Sequence, residues 1–255
     1  MDLGILLYIG VGFVAQMVDG ALGMAYGVTS TSFLLGLGVP AITPAVASAS
    51  VHAAEIFTTA VSGLAHLRFG NVDQGLFRRL VIPGVLGGVL GAYILTALPS
   101  QVIKPFVALY LMLMGALILR RAFRSSGEPA PSLAARFLLP LGALGGFFDA
   151  IGGGGWGPIV TSTLVARGNH PRFAIGSVNL AEFFVTLAES ITFVLTLGQS
   201  LAQMGQVILG LILGGVVAAP LAAYVCRRVP VRALMGAVGV LIILLSLRTI
   251  LLALA

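Results

Sequence analysis

The sequence predicts an all-α polytopic membrane protein. It divides into two inverted-topology repeats, each a helix-turn-helix hairpin (re-entrant or twice-spanning) followed by three transmembrane helices. Three observations predict this. The 255 residues are 58% hydrophobic and only 9% charged, against roughly 25% charged in a soluble domain. The apolar residues fall into segments near the ~20-residue length that a bilayer requires. The second half repeats the pattern of the first.

Composition acts first, by exclusion. With a mean hydropathy of +1.09, the chain lacks the polar side chains to cover a water-soluble surface. A soluble enzyme, a nucleic-acid-binding domain and a secreted disulfide scaffold are excluded, and the lipid bilayer becomes the expected partner. The net charge of +6 is read as topology rather than as a nucleic-acid footprint. The single cysteine, Cys226, cannot form an internal disulfide, and no metal-ligand spacing occurs. No cofactor is expected. The apolar start, Leu3 to Val18, has no basic flank or cleavage pattern and reads as a structural segment.

In chain order the apolar segments are 3–18, 21–38, 43–66, 78–98, 102–123, 133–148, 155–167, 173–197, 204–226 and 231–254. Segments 3–18 and 21–38 are parted only by a turn at Asp19 and Gly20. Segments 133–148 and 155–167 are parted only by Asp149 to Gly154. The polar gaps at 66–79, 120–136, 167–172 and 227–232 hold Arg68, Arg78, Arg79, Arg120, Arg121, Arg124, Arg136, Arg167, Arg172, Arg227, Arg228 and Arg232. The other gaps hold only Lys104, and Arg248 lies near the C-terminus. Positive-inside bias assigns the basic gaps to the cytoplasm and both termini to the outside. The stretch rich in Ser, Gly and Pro after Phe123 reads as a cytoplasmic linker, giving a first repeat at 1–123, a linker at 124–132 and a second repeat at 133–255.

The repeat is visible residue by residue. At a shift of 130, Gly12, Asp19, Gly23, Gly27, Thr31, Ser32, Leu34 and Gly38 meet Gly142, Asp149, Gly153, Gly157, Thr161, Ser162, Leu164 and Gly168. At a shift of 127, Ala47, Ser50, Val51, Ala54, Glu55, Phe57 and Thr59 meet Ala174, Ser177, Val178, Ala181, Glu182, Phe184 and Thr186. Composition bias inflates Gly and Ala matches, but it does not produce paired Asp and paired Glu. Five segments per half place the halves in opposite orientation. Inverted repeats with broken helices are the pattern of secondary transporters, whose sites lie near the midplane at the repeat interface.

Asp19, Glu55, Asp149, Glu182 and Glu189 lie inside or between apolar segments. A membrane-embedded charge costs roughly 2.5–3.5 kcal/mol on insertion scales, so such acids read as functional. Asp19, Glu55, Asp149 and Glu182 are the candidate proton carriers. His52, Glu55, Thr59 and Ser62 share one helix face and meet Asn179, Glu182, Thr186 and Glu189 in the second half, so two polar stripes would line a central pathway. The alternative is interhelical hydrogen-bond glue. The glycine turns after each Asp offer backbone N–H groups to an anion or a close helix contact. Candidate binding residues are Gln16, Asp19, Gly20, Gly23, His52, Glu55, Asp149, Gly153, Gly154, Gly155, Trp156, Asn179 and Glu182. Trp156 and its counterpart Tyr26 either wall the site, simply pack, or anchor at the membrane interface. The glycines Gly84, Gly88, Gly91, Gly210 and Gly214 read as helix-packing positions, and small-residue faces of this kind allow a homodimer.

The runs Gln16-Met-Val-Asp-Gly-Ala-Leu-Gly-Met-Ala-Tyr-Gly and Gly145-Gly-Phe-Phe-Asp-Ala-Ile-Gly-Gly-Gly-Gly-Trp-Gly-Pro resemble the twin signatures of the TauE/SafE sulfite exporter family, and the resemblance covers essentially the whole chain. It implies a bacterial inner-membrane transporter of a small sulfur-containing anion, sulfite or a sulfonate, and points to Asp19, Gly23, Asp149, Gly153, Gly157 and Pro158. The expected function is sulfite export coupled to protons. The alternatives are a proton or cation carrier, a passive channel, another sulfonate or thiosulfate-type carrier, and an intramembrane aspartyl protease built on Asp19 and Asp149. The protease reading lacks a glycine-x-glycine-Asp motif, so the chain is not expected to be an enzyme.

Overall fold

The computed structural model describes residues 3–22, 24–123, 134–225 and 231–254. Gly23, the linker 124–132 and Cys226 with its two neighbouring arginines lie outside the described residues. The helices are α1 (Leu3–Leu22), α2 (Tyr26–Gly36), α3 (Pro44–Arg68), α4 (Gln74–Ala97), α5 (Ser100–Phe123), α6 (Leu138–Gly152), α7 (Ser162–Ala166), α8 (Pro171–Leu197), α9 (Gln199–Ala202), α10 (Gly205–Val225) and α11 (Val231–Leu254). A 3₁₀ turn, Ala135–Phe137, leads into α6, and a π-helical turn, Gly157–Thr161, leads into α7. No strand occurs among the described residues. The protein is an all-α, polytopic membrane protein.

Among the described residues, five helical stretches are long and apolar enough to cross a bilayer: Gln74–Ala97, Ser100–Phe123, Ala135–Gly152, Pro171–Leu197 and Met235–Ala253. At 1.5 Å per residue, the 20-residue α1 is also about one hydrocarbon thickness long. The 25-residue α3 has the length to span but not the hydropathy. Ser48, Ser50, His52, Glu55, Thr58 and Thr59 give it a buried polar face. The exterior is the opposite. Ile82, Leu86, Phe106, Leu113, Val217, Leu244 and Leu251 all stand more than half exposed. Polar groups inside and large apolar groups outside are what a lipid solvent selects.

The hairpins differ from the sequence expectation in one respect. The turn does not begin at Asp19 or Asp149. α1 continues through Asp19 to Leu22, and α6 continues through Asp149 to Gly152. The second arm of each hairpin is short, with α2 only 11 residues long. The physical reason lies in the aspartates. Each uses a carboxylate oxygen to accept the first N–H of the short arm, Tyr26 N at 3.4 Å and Trp156 N at 2.8 Å. A side chain can reach that donor only from inside the last turn of the preceding helix.

The packing partners exchange when the halves are exchanged. α1 packs on α10 as α6 packs on α4, and α3 packs on α10 as α8 packs on α4, while α3 lies against α8 and α5 against α11. The matched helices α3 and α8 run antiparallel, with Gly63 against Leu180 and Gly176 against Asn71. Both helices start from a residue capping the chain ahead of a proline. Thr43 accepts from Val46 N before Pro44, and His170 accepts from Arg172 N before Pro171. Such N-caps with Pro at the first helical position are a strong start signal.

At one end of the bundle the α3–α4 loop meets the start of α8. Arg172 Nη2 donates to Phe69 O at 3.0 Å, Arg172 Nε donates to Asn71 Oδ1, and Asp73 N donates to Ser177 Oγ at 2.8 Å. Two of the arginine-bearing gaps assigned to one side of the membrane are thus in direct contact.

Glycines make the closest helix approaches. A Cβ on Gly87 would stand 2.0 Å from Ala143 O, on Gly91 2.5 Å from Phe147 O, on Gly214 2.1 Å from Ile9 O and on Gly210 2.5 Å from the Tyr8 side chain. These glycines are packed against neighbouring helices of the same chain.

Candidate functional site

The centre of the molecule is where the two hairpin turns meet the two polar helices. His52, Asp149 and Glu189 are all essentially unexposed and come from three different helices, α3, α6 and α8. His52 Nε2 stands 2.7 Å from Glu189 Oε2 and 3.5 Å from Asp149 Oδ2. Neither approach lies along the ring N–H closely enough to complete a hydrogen bond. On the other side of the ring, Nδ1 lies 2.7 Å from Ser48 O. Phe193 leans on the ring at a centroid distance of 5.9 Å.

The remaining acids are near. Glu55 interacts electrostatically with Asp149, His52, Asp19 and Glu189, and Glu182 interacts with Glu55, Asp149, Asp19 and Glu189. Five carboxyls and one imidazole therefore form one electrostatic group. Glu55 and Asn179 are buried, whereas Asp19 and Glu182 are half-buried. No Lys or Arg joins the ion pairs of this group among the described residues. Several buried polar atoms around it make no hydrogen bond to protein: Gln16 Oε1, Ser50 Oγ, Glu55 Oε2, Asp149 Oδ2 and Thr186 Oγ1, with Thr29, Ser30, Ser32 and Thr161 on the short hairpin arms. Buried polar groups are nearly always satisfied, and clusters of orphans call for water, ion or ligand.

The glycine turn is occupied differently. Gly153 and Gly154 take the left-handed backbone, φ +63° and +139°, which a side chain disfavours. They bring the turn against α2: Thr31 Oγ1 donates to Gly153 O at 2.6 Å, and Tyr110 OH donates to Gly154 O at 3.2 Å. A Cβ on Gly155 would collide with Tyr110 OH at 2.0 Å. Gly153 to Gly155 are thus packed between α2 and α5. Gly20 lies within α1, one residue beyond Asp19, and Gly23 lies outside the described residues.

Trp156 is fully buried and donates Nε1–H to Val178 O at 3.1 Å. Its ring fills the space left by Gly84 and Gly145. Tyr26, its counterpart, is buried and donates its hydroxyl to Leu211 O at 3.2 Å. Both act as bolts between a hairpin and a neighbouring helix. Trp156→Phe should lower thermal stability in detergent by about 1–3 kcal/mol, from the lost hydrogen bond and the lost volume. It should leave the central acids in place, so transport activity measured below the unfolding temperature should persist.

Glu189 is the residue that the pairing of halves does not single out. Its match is Ser62 rather than an acid, yet it makes the shortest contact to His52. The signal was present in the sequence, as the fifth carboxyl within an apolar segment.

The three groups around His52 also have the donor set for a metal ion, with one atom of each within 4.8 Å of the others. The 2.7 Å separation of Nε2 and Oε2 is short for that. Two ligands at about 2.0–2.1 Å from a tetrahedral zinc stand about 3.3 Å apart.

Residues 8–249 match the family described as sulfite exporter TauE/SafE. The chain is 45% identical over 246 residues to a protein of Bacillus subtilis (strain 168) named probable membrane transporter protein YtnM, covering 94% of this chain and 80% of that one. No solved structure matches. The family consists of transporters, so Asp19 and Asp149 are not read as a protease dyad. A family match across nearly the whole length, on a lipid-exposed helical bundle with buried acids, makes this chain a membrane transporter belonging to the TauE/SafE sulfite exporter family.

Proposed function

We propose that the protein exports sulfite, a small sulfur oxyanion, across the bacterial cytoplasmic membrane, with transport coupled to protons through its intramembrane carboxyls. The observation that carries this reading is the group of five carboxyls and one imidazole, with His52, Glu55, Asp149 and Glu189 buried, in a protein whose interior also holds buried polar atoms without protein partners. Sulfite is doubly charged, or singly charged as bisulfite. Protonated carboxyls, hydroxyls and an imidazole N–H can donate to its oxygens. Once those carboxyls lose their protons, the same cage repels the anion. An acid-lined site is therefore a gated anion site, closed or open according to proton occupancy. Arginines would hold the anion in both conditions and would couple nothing.

In this reading Gln16, His52, Asn179 and the carboxyls of Asp19, Glu55, Asp149 and Glu182 contact the anion, and the carboxyls carry protons. Gly153, Gly154, Gly155 and Trp156 shape the turn that positions Asp149, and Gly20 and Gly23 are the candidate binding positions beside Asp19. The halves form an inverted repeat with both termini outside. The exchange of packing partners and the antiparallel run of α3 and α8 support the inverted repeat, and the arginine-bearing gaps support the orientation. Alternating access would then be a rocking of one hairpin-bearing half against the other.

Labelled sulfite flux in proteoliposomes tests the reading. Saturable flux that accelerates under an imposed pH gradient, and falls in Glu55→Gln, is expected. Flux that ignores the gradient in wild type would remove proton coupling. Absence of sulfite flux with retained flux of another sulfur anion would move the substrate, and proton-driven cation flux would favour a cation carrier.

A further inference from the structure

We infer that His52 and Glu189 form the proton-binding station of this transporter, with Asp149 as the acceptor through which the station communicates with the hairpin turn. The inference rests on the proton-coupled reading above and adds to it a residue, Glu189, and a fixed protonation geometry.

The Ser48 hydroxyl donates to Ala150 O at 2.6 Å, so its one proton is spent there. Toward His52 Nδ1, 3.3 Å away, Ser48 Oγ can then only accept. Ser48 O, 2.7 Å from Nδ1, can only accept in any case. Nδ1 must therefore carry a hydrogen, and the tautomer is set by its surroundings.

With Nδ1–H fixed, Nε2 is a lone pair in the neutral ring. It stands 2.7 Å from Glu189 Oε2 and 3.5 Å from Asp149 Oδ2. A lone pair against two carboxylates, all unexposed, would place two uncompensated charges in a dry interior, at a cost of several kcal/mol for each ion. At least one proton therefore resides among Nε2, Oε2 and Oδ2. It has alternative seats of different kinds within a few ångströms, on the ring as an imidazolium or on Glu189 as a carboxylic acid. Because neither contact lies along the ring N–H, no single seat is locked.

Among the described groups that act on this cluster, none carries a positive charge other than the ring itself. The groups that act on His52 are Glu189 from α8 and Asp149 from α6. Glu55 lies one turn further along α3, Glu182 lies on α8 and Asp19 on α1, and Tyr110 on α5 senses Asp149. Tyr26 on α2 senses Glu55 and Asp19. None of these supplies a positive charge. The packing also makes room for the station, because a Cβ on Gly88 would fall 2.4 Å from Glu189 Oε1. Asp149 completes the route. Its Oδ1 accepts from Trp156 N, the first N–H of the short hairpin arm, while Oδ2 faces His52. Loading or unloading the station changes the charge beside the very carboxylate that holds the turn.

The test compares wild type, Glu189→Gln and His52→Gln in proteoliposomes with two readouts. One is labelled sulfite flux driven by a pH gradient. The other is sulfite counterflow at equal pH, which needs a folded, substrate-binding protein but no net proton movement. Glu189→Gln is expected to keep counterflow and lose the gradient-driven component entirely. Gradient-driven flux in Glu189→Gln equal to wild type would overturn the station while leaving the proton-coupled reading intact. No gradient-driven flux in wild type would overturn that reading itself. Should a variant fail to fold, ¹⁵N-histidine spectra of wild type decide. The station predicts a His52 resonance with Nδ1 protonated throughout, whose Nε2 signal moves in Glu189→Asp. A His52 resonance with Nδ1 unprotonated would contradict it. Elemental analysis of the purified protein is expected to find no stoichiometric zinc, and one equivalent lost on His52→Gln would reassign the three groups to a metal.

Discussion

Asp149→Asn is expected to leave the protein folded and to abolish gradient-driven sulfite flux. The two oxygens of this carboxylate have separate tasks. Oδ1 accepts Trp156 N–H at 2.8 Å, and an asparagine carbonyl oxygen can do the same. Oδ2 stands 3.5 Å from His52 Nε2. Asparagine places an NH₂ there, which can donate but can take no proton. The variant therefore separates the hairpin's scaffold role from its proton role. Asp149→Ala removes both oxygens, and the lost cap alone should cost about 0.5–2 kcal/mol of stability. A flux assay paired with thermal unfolding in detergent distinguishes the two variants. Wild-type flux in Asp149→Asn would show that the carboxyl only caps a helix.

The largest effect on folding is expected at Gly154. An added Cβ would lie 2.2 Å from Val28 N and 2.4 Å from Gly27 C, both rigid backbone atoms, and the residue holds φ at +139°. Overpacking costs about 1–3 kcal/mol, and a strained backbone conformation costs a similar amount. Gly154→Ala should therefore lose at least ~2 kcal/mol and yield little monodisperse protein on size exclusion. Gly10→Ala is the matched control. It lies in α1 with nothing within 4 Å of the new methyl, so helix propensity alone should make it neutral or slightly stabilising. Equal behaviour of the two variants would mean that the turn does not press on α2.

The parts of the structure that depend on composition and local pattern were legible in the sequence. Low charge and long apolar segments give the membrane class. The paired Asp19 and Asp149, each ahead of glycines, mark both hairpins. The stripe from His52 to Ser62 marks α3 as a helix whose inner face is polar. What was not legible depends on contacts between distant segments. The helix ends at Leu22 and Gly152 follow from a carboxylate reaching an N–H seven residues on, which no local propensity reports. The choice between an anion cradle and tight packing at Gly153 to Gly155 depends on Thr31 and Tyr110, far away in the chain. The meeting of His52 with Glu189 was hidden by the repeat itself. The alignment of halves pairs His52 with Asn179 and Glu189 with Ser62, whereas the antiparallel packing of α3 and α8 brings together residues that the alignment does not match.

In the proposed function, sulfite and protons move through one obligatory cycle governed by the central carboxyls. Sulfite-dependent proton movement measures this most directly. Proteoliposomes carrying an internal pH dye would receive sulfite on one side, with protein-free liposomes correcting for passive permeation. The account predicts a saturable change of internal pH in wild type that vanishes in Asp149→Asn and is not produced by sulfate. A saturable sulfite flux with no accompanying proton movement would contradict it.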